Sequence, residues 1–274
     1  MKSSITAFFP AYNDQYTIES MVRNVATELR KVTHDFEVLV VNDGSRDNTR
    51  DVLLQVKDEV PELRVIHHPE NLGYGAALIT GFTNARKDLI FYTDGDGQYD
   101  VRELHNLVKA LRPDVDLVTG YKIQRADAWY RVWIGEAYRR AMRILFNLAI
   151  RDVDCDFRLF RRDILKHISL QSHSGVICVE LMRKVQLAGY RIVEIPVTHW
   201  PRRYGSSQFF RIRHLVRVLG GLLRIWWALV LSHHLQFTDI FKLGSTAGRQ
   251  ANAAADLSPA GGRLSQALLR TLRR

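Results

Sequence analysis

Short apolar runs alternate with amphipathic stretches through the first 120 residues. Residues 5–9, 38–41, 64–66, 89–92 and 117–118 read as short buried strands. Between them, residues 17–29, 47–56, 75–85 and 101–111 place apolar side chains at helical spacing. Strand and helix in alternation predict right-handed crossovers: an α/β fold with a mostly parallel sheet and helices on both faces. Further along, residues 131–150 and 176–187 carry helical spacing, and 191–197 read as another strand.

Residues 209–231 mix basic and bulky apolar positions, Trp226 and Trp227 among them. The cleanest apolar run, 218–231, contains Arg224 and is too short to span a bilayer, so a C-terminal amphipathic helical segment is expected. Such a segment either lies in the lipid headgroup region or packs on the domain. From Gly244 onward Gly, Ala, Ser and Gln dominate, which predicts a mobile tail with a short helix near 264–272. The expected organisation is a domain over 1–208, the basic segment over 209–240 and a flexible tail over 241–274.

At 274 residues and 46% hydrophobic, the chain has enough apolar material for one large domain with an appendage. Cys155 and Cys178 form no C-x-x-C pair, which argues against structural zinc and fits a reducing compartment. The first residues enter a strand at once, so no signal peptide is expected. The net charge of +10 is unevenly spread. Residues 1–120 carry 13 Lys/Arg against 19 Asp/Glu, and the remainder carries 26 against 10. A basic half points to anionic partners. Without a nucleic-acid-binding motif beside it, membrane phosphate ranks above nucleic acid, which is not expected as a partner.

The chemistry concentrates where the strand 89–92 runs into Thr93-Asp94-Gly-Asp96-Gly-Gln98. A buried strand fixes the backbone, the glycines permit a tight turn, and two carboxylates offer hard oxygen ligands. Mg²⁺ or Mn²⁺ held there keeps positions open for a diphosphate. A solvated Asp/Gly turn is the plain alternative. Two other polar motifs, Pro10-Ala-Tyr12-Asn13 and Asn42-Asp43-Gly44-Ser45, also follow strands. In a parallel sheet all three converge on the carboxyl edge, which favours the metal site.

Together these motifs resemble the family 2 glycosyltransferases of the GT-A fold, particularly the polyprenyl-phosphate (dolichol-phosphate) sugar synthases. The resemblance covers about residues 4–215. Phe9-Pro-Ala-Tyr-Asn is similar to the first-strand nucleotide motif, and Val41-Asn-Asp43-Gly44-Ser45 to the second. Asn71-Leu-Gly73-Tyr-Gly75 is similar to the glycine turn, and Asp94-Gly-Asp96-Gly-Gln98 to the D-x-D-x-Q metal motif. Later, Asp152-Val-Asp154-Cys-Asp156-Phe-Arg158 resembles the acceptor-side segment, and Arg202-Arg-Tyr-Gly-Ser-Ser207 the R-x-x-G-x-S loop. The chain departs from the pattern at Asn42, Gly135, Asp156 and Gln208.

The resemblance implies an inverting, metal-dependent transfer from a nucleotide-diphosphate sugar (GDP-mannose, UDP-glucose or UDP-GlcNAc) to a polyprenyl phosphate. It implies nucleotide-sugar contacts from Pro10, Tyr12, Asn13, Asp43, Gly44, Ser45, Gly73 and Asp94. Asp94, Asp96 and Gln98 would bind or orient Mg²⁺ or Mn²⁺, while Arg202 and Ser207 close over the diphosphate. Lys122 and Arg131 are candidates for the acceptor phosphate. Asp152, Asp154 and Asp156 either orient the acceptor, act as base, or pair with nearby arginines. The implied place of action is the cytoplasmic face of the membrane, bound peripherally. A sister transferase using a polysaccharide, protein or soluble hydroxyl acceptor is the main rival. A nucleotidyltransferase fits less well, because the first strand ends in Pro-Ala-Tyr-Asn rather than a glycine-rich loop. A non-catalytic binding module is disfavoured by the intact Asp94/Asp96/Gln98 set.

Overall fold

Seven strands form one sheet in the order β3-β2-β1-β4-β6-β5-β7. The structure is a computed structural model describing residues 3–123, 129–201 and 212–231, with side chains described for 3–123, 135–201 and 218–231. In chain order the elements begin β1 (Ile5–Ala11), α1 (Ile18–Val32), β2 (Phe36–Asn42), α2 (Thr49–Glu59) and β3 (Leu63–His67). They continue α3 (Tyr74–Asn84), β4 (Leu89–Thr93), α4 (Leu104–Ala110) and β5 (Leu117–Lys122). The last are α5 (Trp129–Phe146), β6 (Phe157–Arg161), α6 (Ile177–Leu187), β7 (Ile192–Val197) and α7 (Ile212–Trp226).

The expected strands and helices are present to within a few residues at their ends. Residues 101–111 divide into a 3₁₀ turn, Val101–Glu103, and α4, because Asp100 caps the turn by accepting from the Arg102 N–H. The expected amphipathic segment is α7, continued by one π-helical turn, Trp227–Leu231. The strands lie in the compact unit Met1–Leu229. Residues 241–274, and the helix expected near 264–272, fall outside the described residues.

β6 is the element the hydrophobic pattern did not reveal. It runs antiparallel between β4 and β5, with Thr93 opposite Phe157 and Thr119 opposite Arg158. The remaining pairings are parallel. An antiparallel strand enters the sheet at the edge where its parallel neighbours leave. The residues before β6, Asp152–Asp156, are therefore delivered to the same edge as Asp94.

Alternation along the strands gives each face its own core. Ile5, Ala7, Phe9, Val38, Val40, Phe91, Phe157 and Leu159 pack with α1, α2 and α4 on one face. On the other, Phe82 of α3 meets Phe8, Tyr92 and Phe160 edge-on at 5.2–5.6 Å. A Cβ at Gly81 would lie 2.2 Å from the Phe8 ring, so glycine lets α3 approach β1 this closely.

Candidate active site

The loops after β1 and β2 are tied together at the carboxyl edge. Asn13 adopts φ 58°, a conformation asparagine tolerates. Its N–H donates to Ser45 Oγ at 2.9 Å, and its Oδ1 accepts from the Arg46 N–H at 2.8 Å. Pro10 stays within β1 opposite Val41, and the half-buried Tyr12 donates its N–H to Asp14 Oδ2. The expected convergence of the strand-end motifs is present, since Thr17 Oγ1 also donates to the Gly95 carbonyl beside Asp94.

Asp43 is buried and fully engaged. Oδ1 accepts from the Leu72 N–H at 2.9 Å and meets His68 Nδ1 at 2.6 Å, while Oδ2 accepts from the Gly73 N–H at 2.9 Å. Asp43 thus anchors the glycine turn, and any nucleoside contact it makes is shared with these bonds. The turn requires its glycines. Gly44 has φ +65° with the Glu70–Asn71 backbone against it, and Gly73 has φ +99° with the His173 carbonyl 2.6 Å from where a Cβ would sit. Glu180 of α6 supports the other side by accepting from the Gln171 and Ser172 N–H groups. A cavity of about 430 Å³ opens on the β2–β3 side of this turn, lined in part by Ser45, Arg46, Arg50, His68 and Asn71.

Beyond β4, Asp94 Oδ1 accepts from the Tyr74 hydroxyl at 2.9 Å, and Asp96 Oδ1 accepts from the Gln98 N–H at 3.1 Å. Burial, reinforced by the Asp156 and Asp96 charges, pushes the Asp94 acid well above the usual carboxylate range. A cation would relieve that cost. Among the described residues no three His, Cys, Asp or Glu side chains gather into a metal cage. Two carboxylates beside an open edge still fit an ion whose remaining ligands are phosphate oxygens and water. Gln98 is turned elsewhere: its Nε2 donates to the Trp200 carbonyl at 2.9 Å. It orients the loop through that bond.

The three carboxylates that precede β6 occupy three different environments. Asp152 is buried, with Oδ2 accepting from the Lys122 N–H at 3.4 Å. Asp156 Oδ1 accepts from the Tyr92 hydroxyl at 3.1 Å and the Cys178 thiol at 3.2 Å, and pairs with Arg158 at 3.4 Å. Arg158 is fully buried and donates to Tyr92, Thr119 Oγ1 and the Val153 carbonyl. Asp154 is half-buried, and burial, outweighing nearby Lys122, lifts its pKa to about 7. Lys122 donates its Nζ to the Asp154 carbonyl at 2.9 Å. Burial alone would lower its pKa, but Asp152, Cys155, Asp154 and Asp156 raise it, so it is a firm cation among carboxylates.

Lys122 therefore stands beside Asp154, while Arg131's side chain, Arg202 and Ser207 lie outside the described residues. His68, Tyr74, Tyr92, Arg158 and Cys178 also take part in the site; Tyr74 and Arg158 lie inside two of the quoted motifs but had no role assigned there, and the other three lie outside them. His68 and Tyr74 were findable as polar groups next to motif residues at strand ends. The others become visible only once β6 is placed.

The sequence pattern of the family described as glycosyl transferase family 2 matches residues 6–169, more than half of the chain. The chain belongs to that family. Among curated proteins, this family 2 chain is 29% identical over 236 residues to Glycosyltransferase AglD of Haloferax volcanii. That match covers 83% of this chain but only 38% of AglD, so the chain spans about two fifths of that relative's length. Among solved structures it resembles the glucosyl-3-phosphoglycerate synthase of Mycobacterium tuberculosis in complex with phosphoglyceric acid. The TM-score is 0.63 at 16% identity, covering 82% of this chain and 79% of the other. The same enzyme with Mn²⁺, UDP and phosphoglyceric acid gives 0.62 at 19% identity, with 84% and 78% covered. These likenesses establish the GT-A fold for this family 2 glycosyltransferase.

Proposed function

We propose that this family 2 glycosyltransferase is an inverting enzyme that moves a sugar from a nucleotide-diphosphate sugar to a polyprenyl phosphate at a membrane surface. The observation carrying the acceptor is the face made by α5 and α7. Trp226 Nε1 donates to the Leu145 carbonyl at 2.9 Å, which ties the two helices together. Ile144, Leu145, Leu219, Leu223 and Trp227 remain exposed beside the exposed Arg140, Arg143 and Arg224. Apolar side chains among arginines suit an anionic lipid headgroup region. Among the described residues no helix is long and apolar enough to cross a membrane, so contact would be peripheral.

Donor binding follows from the edge loops. The Asp43-anchored turn and the joined Asn13–Ser45 loops form a rigid rim for the nucleoside, with Arg202 and Ser207 proposed to close over the diphosphate. Asp94 and Asp96 would hold Mg²⁺ or Mn²⁺, which when bound offsets the charge of the departing diphosphate. The acceptor approaches from the β6–β5 side. A phosphate monoester has a second pKa of about 6, so it arrives mostly as the dianion. Asp154, poised near neutrality, takes the residual proton or orients the phosphate oxygen, with Lys122 and Arg131 countering its charge. Asp152 and Asp156 shape this site through the bonds described above.

A sister enzyme with a soluble acceptor is the competing reading, because the structural neighbours were solved with phosphoglyceric acid bound. The deciding experiment screens nucleotide sugars with the full chain, offering a short polyprenyl phosphate in anionic liposomes or 3-phosphoglycerate in solution. Released nucleoside diphosphate is the readout. Transfer to the lipid phosphate alone is expected, and efficient transfer to the soluble acceptor alone would replace this reading with its rival.

A further inference from the structure

Gln98 is bonded to both main-chain polar groups of Trp200. Its carbonyl accepts from the Trp200 N–H at 2.7 Å, and its side-chain amide donates to the Trp200 carbonyl at 2.9 Å. The preceding residue, His199, pairs with Tyr99 as an isolated bridge, their rings edge-on at 4.9 Å, and Tyr99 stacks on Phe157. The carboxylate loop thus clamps the backbone of Trp200 from two directions, yet the residue is 50% exposed. A lone exposed apolar residue is ordinary. One held rigidly by the loop that carries Asp94 and Asp96 is not.

The sheet order places this indole. The nucleoside loops follow β1 and β2, on one side of β4, while Trp200 follows β7, the strand at the opposite edge. Ile123 leaves β5 at the same end, its N–H donating to the Val197 carbonyl at 3.2 Å, and it is 55% exposed. β5 and β7 are paired through Lys122 and Val197, so Ile123 directly follows Lys122 while Trp200 lies three residues past Val197, at the same end of the strand pair.

Resting on the acceptor reading above, we infer that Trp200 and Ile123 are specificity-determining residues that seat the first hydrocarbon units of an isoprenoid phosphate. The class of acceptor favoured is one whose phosphate is joined directly to a branched apolar chain. Its phosphate lies towards Lys122 while its hydrocarbon covers the indole and the isoleucine. A hydrophilic phosphate would leave both side chains in water and gain nothing from them.

The test compares citronellyl phosphate, a ten-carbon isoprenoid, with ethyl phosphate, titrating each into the full chain by calorimetry. Wild type should prefer the longer chain by at least roughly tenfold, the effect of covering some 60 Å² of apolar surface. Trp200→Ala retains the main-chain clamp, so folding should persist. It should lose most of that preference by weakening citronellyl phosphate alone. Ile123→Ser should lose a smaller part, and Trp200→Phe should keep most of it. Equal weakening of both ligands in Trp200→Ala, an unchanged preference there, or no preference in wild type would each overturn the inference. Transfer to polyprenyl phosphate that survives with an unaltered preference in Trp200→Ala would overturn this inference while leaving the acceptor reading standing.

Discussion

Arg158 faces Tyr92 across the β4–β6 ladder, and its guanidinium donates to the tyrosine hydroxyl within the sheet. The hydroxyl donates in turn to Asp156, which also pairs with Arg158 directly. A fully buried cation is tolerated here because Tyr92, Thr119, Val153 and Asp156 all satisfy it. Removing one partner of a buried pair costs about 3–5 kcal/mol, because the other charge is left uncompensated. Arg158→Met should therefore lower the unfolding free energy in urea by that amount. Tyr92→Phe deletes only a hydroxyl and should cost about 1–3 kcal/mol. A neutral Arg158→Met would show that Asp156 is satisfied without it.

The Asp94 carboxyl is raised by burial and by neighbouring carboxylates, and Tyr74 donates to it. Asp94→Ala should abolish transfer while leaving the fold intact, and chelation of the wild type should do the same. Titrating Mn²⁺ into protein plus a nucleoside diphosphate, with free ion read by electron paramagnetic resonance, should show binding by wild type and its loss in Asp94→Ala. Full turnover by the alanine variant in chelator would remove the metal from the mechanism.

Gly44 and Gly73 make a separate prediction about the proposed donor rim. A side chain at Gly44 would strike the Glu70–Asn71 backbone at 2.3–2.5 Å on top of a positive φ. Gly44→Ala should displace the turn that Asp43 holds. Nucleotide-sugar KM should rise about tenfold or more, the equivalent of ~1.4 kcal/mol, with less effect on acceptor KM. Gly189, also at positive φ but with open space around it, is the control: an alanine there should leave both KM values unchanged.

Much of this was legible because the carboxyl-edge motifs sit directly after strands whose apolar runs are unbroken, such as residues 89–92 before Asp94. Parallel topology then brings them together without further information. β6 was hidden because Arg158 interrupts its apolar run, and a buried arginine reads as a surface residue until its partners on β4 and β5 are known. For the same reason the aspartates at 152, 154 and 156 were indistinguishable in sequence. They differ only in what the folded sheet sets beside each: Lys122's backbone N–H, the Lys122 ammonium, or the Arg158–Tyr92 network. Trp226 and Trp227 were likewise equivalent as letters, yet one bonds to Leu145 and the other is 61% exposed.

Asp154 carries the pH prediction. Its pKa of about 7 lies above that of a solvated aspartate because burial disfavours the charged form. Acting as base, it must be ionised, so turnover should rise with pH on a limb centred near 7, and Asp154→Asn should lose that limb with most of the activity. The stability consequence has the opposite sign. A carboxyl with a raised folded pKa favours the folded state at pH below its unfolded value near ~3.9, and that contribution is lost as pH rises through about 7. Unliganded wild type should therefore lose stability relative to Asp154→Asn between pH 4 and 7, measured by denaturant midpoints. Parallel stability curves for the two proteins would mean that Asp154 titrates as a solvated carboxyl.

The proposed membrane face can be tested apart from catalysis. Leu219, Leu223 and Trp227 recur every four residues and are about 60% exposed, so they share one side of α7 and its π-helical extension. Burying each in the headgroup region should contribute about 1.5–3 kcal/mol at most, and each nearby arginine about 1 kcal/mol on anionic lipid. The full chain should bind phosphatidylglycerol liposomes and release as salt rises, with a blue shift in tryptophan emission. Charge reversal at Arg211, Arg213 and Arg217, whose side chains lie outside the described residues, should weaken binding in proportion to the charge removed. Leu223→Asp with Trp227→Asp should reduce partitioning by at least a hundredfold, whereas Trp226→Phe should act through the α5–α7 contact and leave the blue shift in place. Because both side chains are exposed, turnover with detergent-dispersed acceptor should persist in the double variant while turnover on liposomes falls. If both assays fall together, α7 supports the catalytic domain and another surface meets the lipid.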